Sequence, residues 1–568
     1  MTVATFLANF GHLADAPNGV RKLRELILQL AVQGKLVPQD SRDEPAAKLL
    51  ERIRKEKAGK VSRRGVWPYA PTNPVNPDEM FYELPQAWEW VRFGDIAQHN
   101  AGKTLDKGRN TGQLRDYITT SNLYWGFFDL NNVRQMPIED DELDRCTAQK
   151  GDLLIVEGGE AGRAAVWTKD YEVCFQNHVH RARFYCDIDP FYVYRFFEKL
   201  NLSGEIGQYR KGVGISNMSG KALASIVLPL PPLAEQHRIV AKVDQLMALC
   251  DELEARQQKQ REGRVRLNNA ALDALLNAGD PAEFAANWQR ICTNFDLLYD
   301  HPDTIAKLRA AILQLAVQGK LVPQDPGDEP AEVLLERIKA AKGKLVKAKV
   351  IKSEDPLPAI APGAVPYPIP ANWSWNYFQD LTELVTDGEH STPPRIASSG
   401  IPMATAKNVR DGFIDLLATD FVSEETARKC WKRCRPVHDD ILMVCVGATT
   451  GRLAVIKNPP DFILVRSVAL IRTLSGFVVP EYLAIALRGP VGQNQIWGSV
   501  KQSAQPCLYI GKIKELNVPL PPLAEQRRIV AKVDQLMALC DALEAKLSQA
   551  RQQSEKLMEA SVRQLLVA

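Results

Sequence analysis

The feature that most constrains this 568-residue chain is a long internal repeat. Lys22–Ile53 and Lys307–Ile338 are identical at 26 of 32 aligned positions. Pro229–Ala255 differs from Pro519–Ala545 only at His237/Arg527 and Glu252/Ala542. Each half therefore opens and closes with a nearly constant block, while the residues between have diverged. A few landmarks survive in the divergent part. Leu84-Pro85-Gln86-Ala87-Trp88-Glu89-Trp90 aligns with Ile369-Pro370-Ala371-Asn372-Trp373-Ser374-Trp375, and Gly151–Val156 closing on Gly162-Arg163 aligns with Asp439–Val444 closing on Gly451-Arg452. Such a repeat predicts two modules with one scaffold and two different surfaces, which is what two readers of different targets need.

The constant blocks read as helices. Leu23, Leu26, Ile27 and Leu30 have helical spacing, with Gly34 as the C-terminal cap, and a second helix can begin at Pro45. Pro229, Pro231 and Pro232 end a strand, and a proline-free helix then runs from Leu233 to about Asn277, on the order of 65 Å. Along it Ile239, Val243, Leu246, Cys250 and Leu253 form a heptad seam, repeated as Ile529, Val533, Leu536, Cys540 and Leu543. Two readings are open: each helix packs on its own module, or the two pair antiparallel as a spacer. The narrow seam, with charge on the other faces, favours pairing. The basic runs Lys55–Arg64 and Ala340–Lys352 read as connectors able to touch phosphate.

Both divergent modules read as mixed α/β with short strands, among them Asp152–Val156, Ala164–Trp167, Ile441–Val446 and Leu453–Ile456. The paired tryptophans are expected to pack beneath each module's first strand. Polar and basic residues cluster in the connecting segments, and these are the residue types that meet phosphates and base edges. The candidates are Lys103, Lys107, Arg109, Ser121, Asn122 and Arg163 in the first module. In the second they are Asp387, His390, Thr405, Lys407, Asn408 and Arg452.

Catalytic signatures are hard to find. Asn458-Pro459-Pro460-Asp461 resembles an amino-methyltransferase tetrapeptide, but the aromatic fourth residue that stacks on a flipped base is replaced by aspartate. Gly214 to Gly220-Lys221-Ala222 has one residue too many for a phosphate loop and lacks its Ser/Thr. Cys430, Cys434 and His438 lack an obvious fourth ligand, and His178 and His180 alternate on a strand, so no metal site is expected. The net charge of +3 neither demands nor excludes nucleic acid. Ten cysteines in so long a chain read as reduced thiols. No apolar run approaches the ~20 residues of a membrane span, and Met1–Phe10 lacks a secretory signal. A soluble, cytoplasmic protein is expected.

These blocks, in this order and over nearly the whole chain, resemble the specificity (S) subunit of type I restriction-modification systems. The resemblance rests on LPLPPLAEQHRIVAKVDQLMALCD from Leu228 and its copy from Val518. The blocks at Ile27–Gln39 and Ile312–Gln324 and the two Pro-x-x-Trp-x-Trp module starts support it. It implies a non-catalytic recognition subunit with two mixed α/β target recognition domains separated by long helices in an antiparallel coiled coil, related by a pseudo-twofold repeat. The implied division is a helical region at 1–65, a first target recognition domain at 80–228 and a long helix at 229–280. A repeat of 22–55 follows at 304–345, then a second domain at 366–518 and a last long helix at 519–568. Each domain would read one half of a split double-stranded DNA target. The helices, through Ile239, Val243, Leu246, Leu253, Ile529, Val533, Leu536 and Leu543, would pair or dock two modification (M) subunits. Those partners would carry S-adenosylmethionine and methylate adenine, and two restriction (R) subunits would add ATP- and Mg-dependent cleavage, with no cofactor on this chain. The competing expectations are a coiled-coil protein adaptor without DNA binding, and a stand-alone methyltransferase or nuclease.

Overall fold

The computed structural model of the chain describes residues 11, 14–59, 74–106, 108, 110–212, 216–361, 363, 365–397, 399–457, 460–501 and 505–567. It divides into two compact units, Met1–Gln260 with Ala550–Ala568, and Arg261–Gln549.

In the first unit, helix α1 (Gly19–Val32) buries Leu23, Leu26, Ile27 and Leu30 to 1% exposure or less. It ends at Gly34, whose φ of 69° suits glycine. A Cβ there would also stand 2.4 Å from Pro85 Cγ, so the cap and the module's Pro-x-x-Trp start meet at this point. Helix α2 (Ala46–Gly59) follows. Strand β1 (Glu89–Arg92) leads into the module, which contains β2 (Ala97–Ala101), β3 (Gln113–Ile118), β4 (Arg134–Ile138), β5 (Thr147–Ala148), β6 (Leu153–Val156), β7 (Ala164–Val166), β8 (Val173–Phe175), β9 (Val179–Phe184) and helix α3 (Pro190–Leu202). One antiparallel sheet has the order β2-β9-β6-β7, and a second has the order β4-β3-β8-β5, in which β3 and β8 are parallel. The exit strand β10 (Val227–Leu230) pairs antiparallel with β1, Trp90 opposite Pro229, so the module is closed at its base. Helix α4 (Leu233–Leu276) begins immediately afterwards.

The second unit repeats this plan. Its elements include α5 (Pro302–Val317), α6 (Ala331–Lys347), β11 (Ser374–Tyr377), β12 (Thr382–Asp387), β13 (Ile401–Ala404), β14 (Asp420–Val422), β15 (Ile441–Val444), β16 (Leu453–Val455), β17 (Ile463–Leu464), β18 (Val468–Thr473), α7 (Pro480–Arg488), β19 (Asn517–Leu520) and the first part of α8 (Leu523–Val567). The sheet order β12-β18-β15-β16 matches the first module strand for strand, and β13 runs parallel to β17 as β3 does to β8. The base clamp recurs as β11 with β19, Trp375 opposite Pro519. Residues 279–304, which no motif assigned, contain a helix at Pro281–Thr293 capped by Asp280.

The heptad seam packs inside its own unit. Ile239, Val243, Leu246 and Cys250 are buried in one cluster with Leu23, Leu26 and Ile27 of α1, with Leu253 at the edge. Arg24 of α1 ties the same helices by reaching Asp251 at 2.7 Å and Glu254 at 2.8 Å. The repeat holds: Ile529, Val533 and Cys540 are buried with Leu308, Ile312 and Leu315 of α5, and Leu536 and Leu543 pack against them. Arg309 reaches Asp541 at 2.6 Å and Glu544 at 3.1 Å. Of the two readings of the seam, packing on the home module is realised over this stretch, because the opening-block helix presents the complementary apolar stripe. Of the eight residues expected to pair or dock partners, Ile239, Val243, Leu246, Ile529 and Val533 are buried in the core of their own unit, and Leu253, Leu536 and Leu543 are half-buried at its edge.

Two further expectations change. The basic runs are helical over residues 55–59 and 340–347: Lys57 of α2 donates to Gly94 O at 2.9 Å, and Lys342 of α6 to Gln379 O at 2.7 Å. These lysines tie the opening block to the start of each module, and residues 60–64 lie outside the described part. The first tryptophan of each pair is more than packing. Trp88 donates to Glu235 Oε2 at 2.9 Å while Gln39 donates to Oε1 of the same buried carboxylate. Trp373, Glu525 and Gln324 repeat the arrangement. One carboxylate thereby joins the opening block, the module and the long helix.

Candidate nucleic-acid interface

Each module carries the same loop after its central strand. In the first, Asn122 Oδ1 accepts from Thr119 N at 2.9 Å, and its amide nitrogen donates to Asp129 O at 3.0 Å and Asn132 O at 3.3 Å. In the second, Asn408 accepts from Thr405 N at 2.9 Å and donates to Asp415 O and Ala418 O. Both asparagines are buried, 3% and 4% exposed. Their hydrogen-bonding groups are committed to the loop, so these two expected DNA contacts are structural pegs. Between the pegged ends lie exposed aromatics at equivalent positions, Phe127 stacked on Tyr124 with centroids 5.0 Å apart, and Phe413. The matching strings Gly126-Phe127-Phe128-Asp129-Leu130 and Gly412-Phe413-Ile414-Asp415-Leu416 were the available sequence signal for this loop.

The remaining first-module candidates are mostly satisfied internally. Lys103 is 15% exposed and pairs with Glu142, whose carboxyl the lysine holds below its ordinary value. Arg163 bonds Glu160 at 2.8 Å and Thr120 O at 2.6 Å and lies 5.4 Å from the Tyr124 ring centre, a clamp on the loop. Ser121 is exposed beside it, its hydroxyl 2.7 Å from Thr119 Oγ1. Lys107 and Arg109 lie outside the described residues.

The second module brings three of its candidates, Asp387, His390 and Thr405, to a cleft of ≈1100 Å³, which Lys407, Asn408 and Arg452 do not line. Asp387, His390, Arg395, Thr405, Arg433 and Arg466 are among its lining residues. Asp387 accepts from Arg433 and lies 2.8 Å from His390 Nε2. Burial alone would raise its pKa, but the bonds from Arg433 and His390 outweigh this and hold it below the ordinary value. Arg395 pairs with Asp420 at 3.2 Å. Thr405 lines the cleft at the root of the pegged loop; Lys407 and Arg452 are exposed. Arg395, Arg433 and Arg466 were not singled out in the sequence, because each stands at a loop position defined only once the strands are paired.

The other motifs are described only in part. Asp461 pairs with Arg435 at 3.2 Å, and Asn458 and Pro459 lie outside the described residues. Among the described residues there is no group of three or more side chains able to hold a metal, and no helix long and apolar enough to cross a membrane.

The type I restriction modification DNA specificity domain matches residues 85–261 and 393–550 of the chain, one copy per module with its following helix. The chain belongs to the type I restriction-modification specificity family. This specificity chain is 30% identical to the specificity subunit of the type I restriction enzyme EcoAI of Escherichia coli, over 95% of its own length and 93% of the relative's. It is 27% identical to the EcoEI specificity subunit of the same species, with the same coverage. Among solved structures it matches the HsdS subunit from Thermoanaerobacter tengcongensis at 16% identity and a TM-score of 0.42, over 84% of this chain and 96% of that one.

Proposed function

We propose that this chain is the DNA-recognition subunit of a type I restriction-modification complex, non-catalytic by itself, with each module reading one half of a split double-stranded target. The observation that carries the reading is one backbone used twice with two different surfaces. The strand order, base clamp and Trp–Glu–Gln tie are repeated, whereas the cleft-side residues are not. Full-length similarity to specificity subunits supports it. A duplicated scaffold presents equivalent surfaces to two identical partners. Two modification subunits, carrying S-adenosylmethionine, would therefore seat on the repeated blocks, with two restriction subunits supplying the ATP- and Mg-dependent step. Base flipping and much of the phosphate contact then fall to the partners, which suits a net charge of only +3.

A genome-wide adenine-methylation map of the host, with and without this gene, tests the reading. Disappearance of one split motif on deletion is the expected result. An unchanged methylome, together with failure to co-purify with a methyltransferase subunit, refutes it and leaves a protein adaptor as the alternative.

A further inference from the structure

The turn between β8 and β9 in the first module has a counterpart between β17 and β18 in the second, with the same backbone. Asn177 N donates to Lys103 O at 2.9 Å, and Arg466 N to Glu389 O at 3.0 Å. Lys103 N donates back to Phe175 O at 3.0 Å, and Glu389 N to Leu464 O at 2.8 Å. Val179 N and Val468 N close the turns on Gln176 O and Val465 O. The approach is so close that only glycine fits before the paired residue: a Cβ on Gly102 would stand 2.0 Å from Phe175 O, and on Gly388 2.3 Å from Leu464 C. The two turns are therefore held alike from both sides.

What they present differs. The first offers Asn177, the second Arg466. Arg466 is exposed at the second module's cleft, whereas Arg395 and Arg433 of that cleft are already paired with Asp420 and Asp387. Among the described residues neither the Asn177 amide nor the Arg466 guanidinium has a side-chain partner. Neither has an internal bond to give up on meeting DNA, unlike Asn122, Asn408, Lys103 or Arg163. Asparagine and arginine are also among the side chains that meet a single base edge with two hydrogen bonds, asparagine at N6/N7 of adenine and arginine at O6/N7 of guanine.

We infer that this position selects one base in each half-site: Asn177 an adenine in the half read by the first module, and Arg466 a guanine in the half read by the second. The inference rests on the reading of the chain as a DNA-recognition subunit and adds which residues carry the choice.

The test uses the modification complex assembled on the full chain, and duplexes in which every base pair of its mapped site is permuted in turn. The wild-type complex is expected to discriminate on the order of ten- to hundredfold at one G·C pair of the second half and one A·T pair of the first. Arg466→Ala removes the first preference and Asn177→Ala the second, each leaving the other half untouched. Arg466→Lys keeps the charge but not the fork, and is expected to retain binding without the guanine preference. Uniformly weaker binding with every preference intact would make Arg466 a phosphate contact and overturn the proposal. A second half-site without guanine overturns it before any variant is made. A wild-type complex with no preference at any base pair is a different result, because it refutes the recognition role itself.

Discussion

The two modules differ inside as well as outside. In the first, His99 and His180 are 3% and 2% exposed with rings 6.4 Å apart. By strand register the second module has Val385 and Ala469 at these positions. Burial pushes His99 down to about 3, helped by the neighbouring His180, and burial pushes His180 down to about 4. An unfolded chain takes up these protons near pH ~6.5, whereas the folded module refuses them until far lower. Their stabilising effect is therefore complete above about pH 7 and is lost as the pH falls from about 6.5 towards 4. Across that window the protection factors, which divide out the slowing of intrinsic exchange in acid, should fall in strands 97–184 and not in strands 382–473. Equal protection of both modules on acidification would contradict the argument. Other buried charges are paired alike in both units: Asp152 accepts two bonds from Arg183, at 2.9 and 2.7 Å, and Asp440 two from Arg472, both at 2.7 Å.

At the scale of elements, the pegged loop shows how a divergent segment keeps one shape. Gly126 at φ 78° and Gly412 at φ 89° take the left-handed turn, and the buried asparagine closes the loop from below. Truncating Asn408 to alanine leaves Thr405 N and the carbonyls of Asp415 and Ala418 without their partner, a cost of roughly 1–3 kcal/mol. The expected outcome for Asn408→Ala is faster amide exchange confined to residues 405–418, with 119–132 unchanged. Uniform loosening of the second module would mean that the loop is not an independent element. The same logic separates reading residues from scaffold residues, since a side chain whose bonds are all internal cannot change partners cheaply.

At the scale of the molecule, α4 and α8 are continuous helices of 44 and 45 residues, each ~66 Å long at ~1.5 Å per residue. Each has residues in both compact units. Between Glu254 and Leu267 of α4, and between Glu544 and Leu557 of α8, no described side chain is buried. Apolar burial resumes further on, at Leu272 in the second unit and Met558 in the first. Seven residues inserted in both exposed stretches preserve the helical face to a first approximation and add ~10 Å, about three base pairs of B-DNA. If the helices set the distance between half-sites, methylation mapping will return the same two halves around a longer spacer. An unchanged spacer would remove them as the ruler.

Much of this was legible in the chain itself. The duplication, the helix starting at Leu233, the strands around Leu153 and Ile441 and the mixed α/β modules follow from repetition and local periodicity, which any contiguous stretch records. What only tertiary structure decided was where side chains find their partners. The heptad seam is filled by a helix more than 200 residues earlier in the sequence, Trp88 by Glu235, and Asn122 by its own loop. Spacing tells that a stripe will be buried but not against what, and residue type tells that an amide can read a base but not that it is already bonded. Asn177 and Arg466 became comparable only once two backbones with little sequence in common proved to carry the same turn, because equivalence between diverged segments is a property of paired strands and not of residue order.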